Sequence, residues 1–304
     1  MAAKPLDVVV IGNAGVDTNV FFRTPDIDFA VEANFTENLD HVGQAGAYAA
    51  RTYASLGWRV GFIGHVGDDW AGRMVREAFA RDVIDTTLLG TDPSGTARSI
   101  NFMYPDGRRK NFYDAKGQGL GPPEAAKVRR LLRGVRLVHC NLADWSRHLL
   151  PLVRELGIPL ACDLQDLVTL EDPYRQDFIR AADILFFSSV NHPNPAPLIR
   201  KLLKAPHRQA VLSGLGARGC AVGTRAGLQT HPAVSLDAPV VDTNGAGDSL
   251  AAGFLAHHVL AGRPLGESIR AGLIAARHTC AQRATSDRQI TADQLRAALA
   301  REAP

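Results

Sequence analysis

The feature that most constrains this chain is a series of short apolar runs separated by helix-length segments. "DVVVIG", "VGFIGHVG", "VRLVHCNL", "IPLACDL", "DILFFSS" and "QAVLSG" are each long enough for one strand and apolar enough to be covered on both faces. Between most of them lie stretches with helical spacing, at 45–56, 70–81, 123–133, 146–156 and 195–203. Strand and helix in alternation predict an α/β fold with a central, mostly parallel sheet and helices on both faces. After Gly214 the rhythm changes. "CAVGTRAGLQTHPAV" predicts a hairpin, and helices follow near 247–261, 265–284 and 291–300. A length of 304 residues fits one large domain, and the whole chain is expected to form it.

Two segments break the rhythm. Residues 18–42 are polar and aromatic with little helical period, and "GTARSINFMYPDGRRKNFYDAKG" (95–117) alternates around the turn "PDG". Both follow early strands, at the sheet edge where open α/β sheets bind ligands. Together they are expected to form a small β lid, with Tyr104, Phe112 and Tyr113 toward a substrate; a plain surface hairpin is the bland alternative.

Composition excludes several function classes. A net charge of +3 is too small to mark a nucleic-acid binder, and Arg108-Arg109-Lys110 is too short a basic run to change that. Cys140, Cys162, Cys220 and Cys280 are isolated, so neither a zinc knuckle nor a disulfide framework is suggested, which fits a reducing, cytoplasmic setting. "MAAKPLDVVVIGNAG" reads as a first strand rather than a signal peptide, and no stretch approaches the length of a membrane span.

"GLGARG" (214–219) matches a dinucleotide fingerprint but runs into a strand instead of opening a helix, so it does not argue for NAD. No P-loop exists anywhere in the chain. "DTNGAGD" resembles a calcium loop only in part, because its twelfth position is Gly253 instead of Glu. "VVDTNGAGDSLAAGF" (240–254) makes better sense as a phosphate cradle. Gly245, Ala246 and Gly247 let backbone N–H groups converge on one anion at a helix start, and Asp248 stands beside it. A carboxylate there suits removal of a proton from an attacking hydroxyl while the N–H groups hold a transferring phosphoryl group. A capped helix is the simpler alternative for G-x-G-D taken alone.

That stretch resembles the C-terminal signature of the PfkB, or ribokinase-like, carbohydrate kinases. "GNAGVDTNV", "VGQAGAYAARTYASLGWRVGFIGHVGDDWAGRMV" and "VLSGLGARG" resemble further family motifs in the same order. The resemblance implies a ribokinase-like fold, ATP and Mg2+ as cofactors, and in many members a monovalent cation such as K+. It implies Asp248 as base, Gly245 to Gly247 as anion hole, Asp17 and Gly43 as substrate contacts, and Gly214, Gly216, Gly219 and His278 beside the nucleotide. Asp242 and Thr243 match the cation position. Several positions depart from the pattern. Gln44 replaces the second Gly of the substrate loop, Tyr48 replaces a sugar-binding Asn, Gly214 replaces a Thr, and Ser188 to Asn191 stands where N-x-x-E organises magnesium.

Within the family, "NFTENLDHVG", "YPDGRRKNFYD", "DLQDLVTLEDPYR" and "CAQRATSD" look similar to acarbose kinases. This implies a long pseudo-oligosaccharide acceptor. Tyr48, Trp145, Tyr104, Phe112 and Tyr113 would then be aromatic platforms, and Asn141, Gln165, Asp144 and Asp166 hydroxyl partners; core packing and helix capping are the equal alternatives for each alone. A nucleoside kinase with Tyr48 stacked on a base, and a non-catalytic sugar binder, are the rivals. The intact Asp248 argues against the second. Lid strands often pair between subunits in this family, so a homodimer through the lid is a further expectation.

Overall fold

The computed structural model describes residues 5–116, 120–235, 238–283 and 285–301; Gly117, the end of the expected lid segment, lies outside them. In chain order the strands and helices are β1 (Val8–Ile11), β2 (Gly15–Phe22), β3 (Thr36–Gly43), α1 (Ala45–Ser55), β4 (Val60–Val66), α2 (Trp70–Arg81), β5 (Asp85–Thr91), β6 (Ala97–Met103) and β7 (Arg109–Asp114). There follow α3 (Ala125–Leu131), β8 (Leu137–Asn141), α4 (Leu150–Glu155), β9 (Leu160–Asp163), α5 (Gln176–Ala181), β10 (Ile184–Ser188), α6 (Ala196–Leu202) and β11 (Ala210–Gly214). The chain ends with β12 (Cys220–Thr224), β13 (Gly227–His231), α7 (Ala246–Leu255), α8 (Leu265–Cys280) and α9 (Ala292–Arg301).

Among the described residues the large sheet runs β13-β12-β11-β10-β9-β8-β1-β4-β5. It is parallel from β11 to β5, and β12 and β13 add an antiparallel edge. Its strands are apolar on both faces because both are covered. Val8 and Val10 of β1 pack with α1, α7 and α8, whereas Val9 and Ile11 pack with α3 and α4.

The two irregular segments supply a second sheet, β3-β2-β6-β7. β2 pairs antiparallel with β3 and parallel with β6, and β6 and β7 form the expected hairpin. β5 and the short helix α5 are not among the elements expected from the sequence. The single helix expected over 146–156 is instead a 3-10 turn (Asp144–Leu149) followed by α4. Pro151 explains the break: it has no N–H to give the preceding turn and suits the first turn of the next helix.

α7, the helix behind "NGAGD", lies against α8 at close range. A Cβ on Gly253 would come within 2.9 Å of the Ala275 Cβ, and one on Gly272 within 2.7 Å of the Leu250 carbonyl oxygen. Gly272→Val is therefore expected to overpack this crossing, cost about 1–3 kcal/mol and lower the melting temperature, with activity falling as α7 shifts. A variant that melts like the wild type would show that the crossing has slack.

Candidate active site

The C-terminal ends of the parallel strands form one row. Asn141 of β8 is in register with Asp163 of β9, and Ser188 of β10 with Gly214 of β11. Across from this row stands the inner face of the small sheet. Strand alternation puts Asp17 and Asn19 of β2 on that face. His41 and Ser99 are in register with Asp17, and Asn101 with Asn19.

The start of α1 fits tightly around Asp17. Gly43 has no room for a side chain, since its Cβ would lie 2.2 Å from the Asp17 carboxylate carbon. Gln44 has φ 75, the left-handed backbone that favours glycine and so explains a Gly-Gly loop in related chains. Its amide nitrogen donates to Asp17 Oδ1 (2.8 Å) and Ser99 Oγ (2.9 Å). The Tyr48 hydroxyl donates to Asp17 Oδ2 (2.8 Å) and lies 2.9 Å from His41 Nε2. With the phenolic proton committed to the carboxylate, His41 donates from Nε2. The Tyr48 ring meets the catalytic turn: a Cβ on Gly245 would come within 2.7 Å of it.

Gly245 takes φ 71 and opens α7, so Ala246, Gly247 and Asp248 form a first turn whose N–H groups lack intrahelical partners. The fold itself accounts for Gly245, through its backbone angle and Tyr48. It does not account for Gly247, whose added Cβ would meet nothing within 4 Å. Its smallness keeps the approach to the backbone open.

Asp248 is half-buried. Burial, then the Asp163 and Asp17 carboxylates, push its pKa well above the ordinary value, and the Arg109 guanidinium partly offsets them. Burial also raises Asp163, and it raises Asp17 against the pull of His41 and the Tyr48 hydrogen bond. A carboxyl with a raised pKa at the mouth of an anion-binding turn is suited to accept a proton near neutral pH. The three carboxylates add up to an excess of negative charge beside the turn, but among the described residues no three His, Cys, Asp or Glu side chains are grouped to hold a metal ion, so Mg2+ would depend on the phosphates of ATP for most of its ligands.

The structure places the other expected residues as follows. Asn141 is 1 % exposed, and neither of its carboxamide atoms has a partner in the protein. Gln165 is exposed at φ 55, just beyond Asp163. Tyr113 crosses from β7 to the large sheet, where its oxygen accepts from Asn13 Nδ2 (2.8 Å), and its pKa is pushed up to about 12, chiefly by burial. Asp144 and Asp166 meet Arg147 and Arg175, respectively. Ser188 caps the turn that holds Asn191, which bonds the Asp166 carbonyl. A Cβ on Gly216 would meet nothing within 4 Å, and one on Gly214 would touch the Leu250 side chain at 4.0 Å.

The platform roles expected of Tyr48, Tyr104, Phe112 and Trp145 need correction. Tyr48 is buried with its ring against Gly245, so it offers no platform to a sugar or a base. Phe112 and Tyr104 are not on the substrate side. Phe112 faces Ile100 on the outer face of the small sheet and lies 5.1 Å from Phe102, and Tyr104 stacks on Phe22 at 5.0 Å. The reason is strand parity, which gives the inner face to Arg109, Asn111 and Tyr113. Trp145 is buried and edge-on to His65 at 4.9 Å. Gly219 is explained by packing, since its Cβ would strike the His231 carbonyl oxygen at 2.1 Å. His278 Nε2 meets the Arg288 carbonyl oxygen (3.0 Å) and holds the segment before α9. The Asp242 carboxylate accepts from Asn19 and Asn244, and Thr243 is exposed. Asn13, Asn19, His41, Asn101, Asp163 and Asn244 were not expected; only buried polar residues inside strands, as at Asn19 and Asn101, hinted at them.

Comparison with known proteins now places the chain. It is 31% identical over 282 residues, 92% of its length and 93% of the relative's, to acarbose 7(IV)-phosphotransferase of Actinoplanes sp.. The chain belongs to the PfkB family of carbohydrate kinases. The family's own profile, described as pfkB family carbohydrate kinase, matches residues 178–292. A solved microbiome-derived acarbose kinase is 27% identical with a TM-score of 0.88, covering 98% of this chain and 100% of that one. Ribokinase of Arabidopsis thaliana, solved with ribose and ATP, is 19% identical with a TM-score of 0.82, covering 97% and 99%, and shares the fold. The PfkB chain is thus a kinase that transfers phosphate from ATP, with Mg2+, to a sugar hydroxyl. Among the described residues no helix is long and apolar enough to cross a membrane.

This geometry sets the expected behaviour of three variants. Gly247→Val should keep the melting temperature within about 1 kcal/mol of stability and sharply reduce turnover, because its side chain enters open space where phosphate approaches. Equal loss of fold and activity, by melts and single-turnover rates, would assign Gly247 a structural role. Asp248→Asn should reduce kcat about 10²- to 10⁴-fold and leave a protein more stable than wild type at neutral pH. The sign follows from the raised pKa. The carboxyl's stability contribution is complete below its ordinary value of 3.8 and is lost as pH rises through the folded value, so the variant's advantage vanishes below 3.8. Asp163→Asn removes a negative neighbour, so the acid limb of the kcat/KM profile should move to lower pH.

Proposed function

We propose that this kinase transfers the γ-phosphoryl group of ATP to acarbose, at the primary hydroxyl of its unsaturated cyclitol. The observation that carries this reading is the state of Asp17. Its two oxygens already accept from Gln44 and Tyr48, so the carboxylate has reduced capacity to chelate the neighbouring hydroxyls of a small free sugar. A long acceptor spreads its contacts instead, over Asn141, Gln165 and Tyr113. The likeness to acarbose 7(IV)-phosphotransferase and to the solved acarbose kinase supports the same choice. A nucleoside acceptor lacks the platform it needs, because the Tyr48 ring is packed on Gly245.

In this reading residues 1–304 act as one kinase unit, with the small sheet as its lid. The acceptor hydroxyl gives its proton to Asp248, its oxygen bonds the γ-phosphorus, and the bond from that phosphorus to the bridging oxygen breaks to release ADP. The N–H groups of the 245–248 turn hold the transferring oxygens, with Gly247 and Asp248 the open donors because the Ala246 N–H already donates to the Thr243 carbonyl (3.3 Å). Mg2+, when bound with ATP, would neutralise phosphate charge, and Asp163 is the residue proposed to help hold it. A monovalent cation at residues 242–243 would rest on carbonyl oxygens, since the Asp242 carboxylate is occupied. Pairing of two copies through the outer face, where Ile100 and Phe112 are exposed, belongs to the same reading.

ADP release measured in parallel with acarbose, hexoses, ribose and nucleosides tests the acceptor. Acarbose should give the highest kcat/KM, and a nucleoside or small sugar that exceeds it would overturn the proposal. Asn141→Leu sharpens the test. It removes a buried amide that has no protein partner, so stability should hold or rise by about 1–3 kcal/mol, while acarbose KM rises about tenfold.

A further inference from the structure

Three asparagines stand side by side on the inner face of the small sheet. Asn111 of β7 is in register with Asn101 of β6, and Asn101 with Asn19 of β2. Their amides form a directional chain. Asn111 Nδ2 donates to Asn101 Oδ1 (2.8 Å), Asn101 Nδ2 to Asn19 Oδ1 (3.0 Å), and Asn19 Nδ2 to Asp242 Oδ2 (2.6 Å). The chain ends on a carboxylate, which only accepts, so the orientation of every amide behind it is fixed.

The other Asp242 oxygen accepts from the backbone N–H (2.9 Å) and side-chain amide (2.8 Å) of Asn244, and the oxygen of that side chain accepts from Arg109 of β7. Gly245 and the catalytic turn come next in sequence. Asn19, Asn101, Asp242 and Asn244 are all at most 5 % exposed. Asparagine is depleted in strands, and burying its amide is costly unless every link is made. Nothing in the packing of the small sheet calls for such a row, because apolar residues would fill the space. Its one connection beyond the sheet is the turn that carries the anion hole.

We propose that this amide ladder transmits the position of the small sheet to the anion-hole turn, and that Asn19 and Asn101 are positioning residues for phosphoryl transfer. Sheet movement over an acceptor carries Asn19 with it. Asn19 pulls on Asp242 and also accepts directly from the Asn244 side-chain amide (3.2 Å), and both contacts set Asn244 and the N–H groups that follow. An anion hole acts through the exact aim of its donors, so a small displacement reduces the rate more than the affinity. The proposal concerns phosphoryl transfer at this site and does not depend on which acceptor is used.

The test compares Asn101→Leu, Asn19→Leu, their combination, and the exchange of Asn19→Asp with Asp242→Asn. Each protein is assayed for kcat and acceptor KM with the best acceptor of the panel, for binding of a non-hydrolysable ATP analogue, and for thermal melting. Asn101 touches neither the turn nor the reaction centre, yet Asn101→Leu should lower kcat about tenfold with acceptor KM and analogue binding within about twofold. Asn19→Leu should lower kcat at least as much, and the combination no further, because both break one chain. The exchange should recover kcat relative to Asn19→Asp alone, since the new amide at 242 donates to the new carboxylate at 19. If Asn101→Leu lowers the melting temperature and leaves kcat unchanged, or if its effect falls only on acceptor KM, the ladder is structural and the proposal fails. Should Asn19→Leu not fold, Asn101→Leu decides alone.

Discussion

The site depends on the position of one buried side chain, Tyr48. Its hydroxyl is held by Asp17 and His41 on the small sheet, and its ring lies against Gly245 at the head of α7. A single residue of α1 thus joins the strand that carries Asp17, the proposed substrate carboxylate, to the turn proposed as the anion hole. These parts are distant in the chain, at residues 17, 48 and 245. The contact leaves no room for a side chain at 245, and the left-handed backbone there independently favours glycine.

Around this joint the protein holds charge that is unfavourable to bury. Asp17, Asp163 and Asp248 each have a raised pKa, with burial the largest cause. Such a cluster lowers stability at neutral pH and is retained where proton transfer and phosphate chemistry require it. The surroundings moderate it. Asp17 is satisfied by Gln44 and Tyr48, and Asp242 by Asn19 and Asn244, whereas Asp248 is helped by its own backbone N–H and, less, by the Arg109 guanidinium. The same distribution fits the proposed roles, in which carboxylates that accept side-chain hydrogen bonds hold position and Asp248 takes a proton.

Much of this was legible in the sequence because it depends on local rules. Apolar runs alternating with helical segments gave the large sheet, since parallel strands buried on both faces leave a continuous apolar signature. "PDG" marked the β6–β7 hairpin, and the small residues of 245–247 marked the phosphate turn, because turn geometry and close backbone approach restrict residue type. The aromatic expectations fared differently. Tyr48, Trp145, Tyr104 and Phe112 were read as platforms because composition shows that an aromatic is present and not which way it faces. One residue of strand parity separates Tyr113 on the inner face from Phe112 on the outer face.

The sequence by itself determined the class of fold and pointed to the turn proposed to hold phosphate and to Asp248 as its proposed base, since each is written in a contiguous stretch. Tertiary structure alone decided what surrounds them. Asp163 acts on Asp248 only because the end of β9 faces α7, and Asn111, Asn101, Asn19 and Asp242 form one chain only because three strands and a loop meet in a particular register. Hydrogen bonds and charge act over a few ångströms in space, whereas these residues are separated by up to 223 positions along the chain, a separation that no local pattern records.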